Sequence, residues 1–163
     1  MEKKEIYRAL GLMSGTSMDG VDASIVCSSD GKNYITASKE SRYFEYDKGL
    51  YQKITILRDK ITSSKDLKKY SHELKSIEKE ITLFHAKVAN IMIKATSEKD
   101  PDIIGLHGQT IFHNSDEKIS IQLGDGKLLS QLTKKNVVYN FRQNDLKNGG
   151  QGAPLTPIFH QYL

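Results

Sequence analysis

The sequence predicts an α/β lobe built on a mixed sheet, and three observations carry that prediction. Val21, Ala23, Ile25 and Cys27 alternate with other residues at period two, as a half-buried strand requires. An Asp30-Gly31 pair, the strongest short hairpin signal, follows closely. Beyond residue 66, helical periodicity and short apolar runs alternate, the pattern of helix-separated strands in one sheet.

Taken in order, residues 6–13 are apolar-rich and end at Ser14-Gly15-Thr16-Ser17, so they read as a strand and a tight polar turn. The period-two run 21–27 is the second strand. A third at about 34–46 follows the Asp30-Gly31 turn, which completes a three-stranded antiparallel meander. Residues 49–61 read as a short helix. Residues 66–97 read as one long helix, because apolar residues recur at Tyr70, Leu74, Ile77, Ile81, Phe84, Val88, Ile91 and Ala95 in alternating steps of four and three. Ser64 or Asp66 can cap its start. Packing of this stripe on the sheet is the first reading, and a coiled coil is its rival. Pro101 ends the helix.

Ile103-Ile104-Gly105-Leu106 reads as a buried strand that stops at His107-Gly108-Gln109-Thr110. Residues 119–123 alternate cleanly and stop at Gly124-Asp125-Gly126. A short helix at 126–133 leads to a strand at 137–140. Residues 141–152 read as a polar, glycine-rich stretch, and 153–163 as helical.

The 163 residues make one domain, or one lobe of something larger. At 37% hydrophobic and 27% charged residues the chain is polar yet can bury a core. The 24 basic residues exceed the 20 acidic ones by 4, with no compact Lys/Arg block, so a nucleic-acid partner is not expected. No run of about 18 apolar residues occurs, so no membrane span is expected. Met1-Glu2-Lys3-Lys4-Glu5 lacks the apolar core of a signal peptide, and Cys27 is the single cysteine. Both lead to an expectation of a reducing, cytoplasmic setting.

Four polar clusters each lie at the end of a predicted strand, where α/β sheets gather ligands. The first, Ser14-Gly15-Thr16-Ser17-Met18-Asp19-Gly20-Val21-Asp22, holds hydroxyls and glycines whose backbone amides can form a nest for phosphate oxygens. Asp19 can hold a hydrated Mg²⁺. It is not a Walker A loop, since no Gly-Lys-Ser/Thr is present and no helix follows. An ordinary hairpin turn is the plain alternative. The second cluster contains His107, Gln109 and Thr110, a polar edge suited to a sugar. No HExxH or His-x-His spacing supports zinc. Asp125 sits in the third. The fourth joins Arg142 and Asp145, which can form a local ion pair, to Gly149-Gly150-Gln151-Gly152-Ala153-Pro154, where glycines permit close backbone approach.

The run Gly11-Leu12-Met13-Ser14-Gly15-Thr16-Ser17-Met18-Asp19-Gly20-Val21-Asp22 resembles the N-terminal signature of the anhydro-N-acetylmuramic acid kinases. His107-Gly108-Gln109-Thr110, Gln122-Leu123-Gly124-Asp125, Phe141-Arg142-Gln143-Asn144-Asp145 and Gly149-Gly150-Gln151-Gly152-Ala153-Pro154-Leu155 match the same family in the same order. Residues 30–100 carry no motif of the family.

The resemblance implies a ribonuclease-H-like lobe of the sugar-kinase, heat-shock-ATPase and actin superfamily. It implies an enzyme that hydrolytically opens the 1,6-anhydro ring of anhydro-N-acetylmuramic acid and phosphorylates O6. ATP and Mg²⁺ would be used, and N-acetylmuramic acid 6-phosphate would enter cell-wall recycling. It also implies ATP and phosphate contacts from Gly15, Thr16, Ser17, Met18, Asp19, Gly20, Val21 and Asp22, a metal contact from Asp19, and sugar contacts from His107, Gln109, Asp125, Arg142 and Asp145. Arg142 and Asp145 rank above His107 for the sugar. His107, Gln109, Asp125, Arg142 and Asp145 are expected to line one side of a single interlobe cleft with the 14–22 loop, whose backbone amides and Ser14, Thr16 or Ser17 face it.

The family's catalytic base is the aspartate of an Asp-Thr-Gly-Pro-Gly-Asn motif, which accompanies a second phosphate loop and an adenosine-binding segment. No Asp-Thr-Gly occurs in these 163 residues. The chain is therefore expected to be an N-terminal lobe, inactive alone, with no catalytic base of its own before Leu163. A separate C-terminal lobe or a homo-oligomer is its possible partner, with apolar 154–163 as a docking edge. Two other readings stay open. One is a non-catalytic binding or assembly module that pairs with such a lobe. The other is a stand-alone phosphate-binding enzyme whose base is Asp19, Asp22, Asp125 or Asp145.

Overall fold

The computed structural model describes residues 6–28, 35–96 and 99–157. Its elements are β1 (Tyr7–Ser14), β2 (Gly20–Ser28), β3 (Ile35–Glu45), α1 (Lys48–Lys60), α2 (Ser64–Lys69), α3 (Ser71–Ala95), β4 (Ile103–Asn114), β5 (Ile119–Leu123), α4 (Gly126–Thr133), β6 (Asn136–Tyr139) and α5 (Phe141–Lys147). The sheet runs β3-β2-β1-β4-β5, and β6 also pairs with β4.

The meander is antiparallel from β1 to β3, whereas β4 joins β1, and β6 joins β4, in parallel. This is a ribonuclease-H-like α/β lobe with a mixed sheet and flanking helices. The Asp30-Gly31 turn and the helix expected at 158–163 lie outside the described residues. Residues 153–156 are not helical. Among the described residues no helix is long and apolar enough to cross a membrane.

Strand periodicity decides where the core sits. In β1 the side chains of Leu10, Leu12 and Ser14 share the buried side, while Tyr7 and Met13 point away from it. Leu10 and Leu12 meet Ile25 of β2, Ile104 and Leu106 of β4, and Ile54, Leu57, Ile81 and Met92 of α1 and α3 in one apolar cluster.

Three expectations change. The long helix is broken at Tyr70 (φ −99°, ψ 19°) into α2 and α3. The Asp66 carboxylate gathers the backbone amides of Thr62 and Ser63 (3.1 and 2.9 Å), so Ser63, rather than Ser64 or Asp66, stands at the N-cap.

The apolar stripe of α3 also moves. Its buried line is Ile77, Ile81, His85, Val88, Ala89 and Met92, without Phe84, Ile91 or Ala95. Steps of four and three repeat every 3.5 residues, and a straight helix of 3.6 drifts off that line by about 20° per heptad. The helix lies on the sheet, and the drift favours His85 and Met92 over Phe84 and Ile91.

Finally, residues 141–147 form α5, entered through Asn140 in the left-handed region (φ 65°), where a loop was expected.

Candidate active site

A bulge in β4 organises the functional edge. β4 does not stop at Leu106 but continues through His107-Gly108-Gln109-Thr110 to Asn114, because β5 pairs with its second half. Against β1, Leu106 faces Leu12 and Gly108 faces Met13, so His107 is the extra residue. Gly108 takes a left-handed φ of 74°. Burial changes phase there: Ile104, Leu106 and Gly108 are buried before it, Gln109 and Ile111 after it.

That phase change decides the fate of Gln109. Its side chain is fully buried, and Nε2 donates to the Gly15 carbonyl (2.9 Å). Gln109 therefore does not line a cleft, as expected of a sugar contact; it holds the Gly15 turn from behind.

Gly15 and Met18 close that turn, with the Met18 amide donating to the Gly15 carbonyl (3.2 Å) and Met18 at a φ of 62°. Thr16, Ser17, Asp19 and Asp22 are exposed, but Met18, Gly20 and Val21 are buried, so only the first four offer side chains to a ligand. Ser17 Oγ donates to Asp19 Oδ1 (2.6 Å), and this bond, with Tyr43 as a further donor, holds the Asp19 carboxyl below its ordinary value. Ser17 and Asp19 line a cleft of about 590 Å³ with Glu45, Tyr46, Lys48 and Tyr51.

Ser14 turns away from this cleft, against expectation. Strand alternation places it on the side of Leu10 and Leu12, where its Oγ lies 2.8 Å from the Tyr46 hydroxyl and 3.3 Å from His85 Nε2. His85 Nδ1 is 2.8 Å from the Ile81 carbonyl, which can only accept. Nδ1 thus carries the proton, Nε2 accepts from Ser14, and Ser14 accepts from Tyr46. Burial pushes His85 down to about 4 and Tyr46 up to about 12, so both stay neutral. Neither His85 nor Tyr46 was among the site residues read from the sequence. A stripe drawn at 3.6 instead of 3.5 residues would have placed His85 on the buried face.

His107, Arg142, Asp145 and Gly152 form the second group. Arg142 Nε donates to His107 Nε2 (2.9 Å), and Nη1 donates to the Gly152 carbonyl (2.8 Å). The expected Arg142–Asp145 ion pair does not form among the described residues. Asp145 Oδ2 accepts from the Gly152 amide (2.8 Å) and lies directly against Gly150. His107 borders a pocket of about 190 Å³ with Glu78, Gln122, Gly124, Tyr139 and Asn140. Burial lowers its pKa, although its bond to the Gly108 carbonyl acts the other way.

Asp125 caps α4: Oδ1 accepts from the amides of Lys127 and Leu128 (2.9 and 3.0 Å). Asp125→Ala is expected to cost about 1 kcal/mol, while Asp125→Ser retains the cap. Urea denaturation checks this, and equal losses in the two variants would refute the capping role.

The ends of parallel β1 and β6 and the bulge of β4 thus bring the Gly15 turn, His107 and Arg142 to one end of the sheet, the position at which α/β folds bind ligands. The lobe is of the class that sugar kinases use. Its sequence makes the family definite: the model of the anhydro-N-acetylmuramic acid kinases matches residues 7–163, and the chain belongs to that family.

It is 60% identical over 163 residues to the anhydro-N-acetylmuramic acid kinase of Pelagibacter ubique, covering 100% of this chain and 42% of that relative. The kinase of Agrobacterium fabrum is 40% identical over 164 residues, covering 98% of this chain and 43% of its own length. That of Rhizobium etli is 38% identical over 160 residues, with 97% and 43% covered. The chain therefore spans well under half the length of these relatives.

Proposed function

We propose that these 163 residues are the first lobe of a kinase that opens the 1,6-anhydro ring of anhydro-N-acetylmuramic acid and phosphorylates O6 with ATP. The observation that supports this best is the bond from Gln109 to the Gly15 carbonyl, which ties the phosphate turn to the strand carrying the His107–Arg142 group. Phosphoryl transfer depends on positioning and electrostatics, and a turn held by its neighbours is already positioned.

In this reading the exposed Thr16 and Ser17 donate to phosphate oxygens, and Asp19 faces the cation that accompanies ATP. Among the described residues no three acidic, histidine or cysteine groups cluster as a metal cage. A single ionised carboxylate fits Mg²⁺, which takes most of its ligands from water and phosphate and there neutralises charge on the phosphate chain. His107 is not a base, since Arg142 occupies its Nε2 and Nδ1 faces a carbonyl.

The test is ATP-dependent phosphorylation of the anhydro sugar by the 163-residue chain alone, and by the chain supplied with the remaining part of the Pelagibacter ubique relative. The expected result is turnover only with the added part. Turnover by the chain alone at about 1–10³ per second would put a base within these residues. No turnover in either case would sink the kinase reading and leave the non-catalytic module.

A further inference from the structure

We propose that Thr82 and His85 of α3 are positioning residues that set the separation between the phosphate turn and the rim of the His107 pocket; this rests on the functional reading above. Both side chains are fully buried, on a face that also carries Ile77, Ile81, Val88 and Met92. A hydroxyl and an imidazole are costly there unless each is hydrogen-bonded. Both are bonded in the same way. Thr82 Oγ1 donates to the Glu78 carbonyl (2.7 Å) and His85 Nδ1 to the Ile81 carbonyl (2.8 Å), in each case four residues back on the same helix. Each side chain uses its only proton on its own helix, so what it turns outward is a lone pair in a fixed direction.

The two lone pairs take donors from different elements. Thr82 Oγ1 accepts from the Asp125 amide (2.9 Å), and His85 Nε2 accepts from the Ser14 hydroxyl (3.3 Å). One turn before Thr82, Glu78 Oε1 accepts from the Gly124 amide (3.3 Å). Helix α3 thus offers acceptors at 78, 82 and 85, spaced by four and three along one face. The first two hold Gly124-Asp125, and both Glu78 and Gly124 border the pocket beside His107. The third holds Ser14, from which the Gly15 turn departs. The far end of that turn is held as well, because the Tyr46 amide donates to the Asp19 carbonyl (2.8 Å) while the Tyr46 hydroxyl reaches Ser14 (2.8 Å).

A 25-residue helix packed on a sheet keeps its length. At 1.5 Å per residue, positions 78 and 85 lie roughly 10 Å apart along its axis. The turn and the pocket rim otherwise belong to β1 and β5, which β4 separates in the sheet. In-line transfer needs donor and acceptor groups placed to within about 1 Å. Helix α3 grips both sides through side chains buried out of a ligand's reach.

The first experiment follows the backbone amide signals of the isotopically labelled 163-residue chain by NMR. T82V keeps the shape and removes the hydroxyl. It is expected to move the signals of Gly15 to Asp19 as well as those of Gly124 and Asp125, and S14A is expected to move Gly124 and Asp125 in return. T82S, which keeps the hydroxyl, should restore the signals. The second experiment measures transfer per folded molecule, by the chain supplied with the remaining part of the Pelagibacter ubique relative. T82V and S14A are each expected to lower kcat about 10- to 100-fold, with both KM values within about twofold. T82S should regain most of that loss. Both variants release one separation, so the double variant should lose far less than the product of the two.

Signals in T82V that move only beside Gly124 and Asp125 overturn the proposal, whatever the rates. An unchanged kcat, a loss confined to KM, or a double variant that shows the full product overturns it too, since a merely structural role lowers stability alone. Should T82V fail to fold, S14A carries the same test from the opposite end. Absence of turnover in the unaltered pair overturns the kinase reading and this role with it, whereas turnover that T82V and S14A leave intact overturns only the role of α3.

Discussion

Acidification from pH 7 to pH 4 is expected to cost the lobe about 3 kcal/mol of stability through His85 alone. The imidazole is fully buried and its pKa is held down to about 4, against 6.5 in an exposed histidine. Between those values the unfolded chain takes up a proton that the folded chain refuses, at about 1.4 kcal/mol per pH unit. The contribution is therefore complete above pH 6.5 and lost as the pH falls to about 4. His107 is shifted in the same direction and adds to the slope. The lowered carboxyls of Asp19, Asp66 and Asp102 act only in a lower window, below their ordinary value of 3.8. Urea denaturation of the chain and of His85→Gln at pH 7, 5.5 and 4 checks this. The variant should begin less stable, because it loses the bond to Ser14, but should show a flatter slope. Identical slopes would mean that His85 is not the group that titrates.

Gly108→Ala is expected to destabilise the fold strongly. A Cβ there would lie 2.6 Å from the Leu123 carbonyl oxygen and 3.3 Å from the Gln122 Cβ, and the φ of 74° is one that alanine resists. Backbone strain of about 1–2 kcal/mol and a clash with backbone, worth about 1–3 kcal/mol, together predict a melting temperature lower by about 10 °C. Gly149→Ala is the control. It shares a left-handed φ (91°) but has open space around it, so it should show the strain alone. If the two variants melt together, the bulge tolerates a side chain and the account of His107 and Gln109 fails with it.

How far the site could be read from the sequence follows from the same residues. The meander, α1, β5, α4 and β6 came from local signals, such as period two and turn residues, and each stands within a residue or two of its expected place. The bulge was not legible. A glycine after an apolar strand reads as a stop, and only the pairing of β5 with 109–114 shows that the strand continues. That single misreading placed Gln109 in the cleft, when its side chain is buried. Ser14 was misplaced by grouping it with the turn rather than with Leu10 and Leu12, whose alternation it completes. His85 was hidden by a 3.5-residue stripe. The mutual contacts of Arg142, His107 and Gly152 join residues from β4, α5 and the loop after it, and no spacing rule encodes such a meeting.

The parallel pairing of β1 with β4 has a consequence for how the functional edge comes to exist. The first hydrogen bond at that junction, from the Arg8 amide to Asp102, already spans 94 residues. The length-dependent entropy of closing such a loop is roughly 4 kcal/mol at (3/2)RT ln n. β2 pairs with β1, and β3 with β2, as sequential neighbours at far smaller cost. The Gly15 turn belongs to the near side of this closure, and the His107 bulge to the far side. Burial of Leu10, Leu12, Ile104 and Leu106 must offset the closure before Gln109 can reach Gly15. The ligand edge is thus a property of the closed loop, and neither strand carries it while the chain is open.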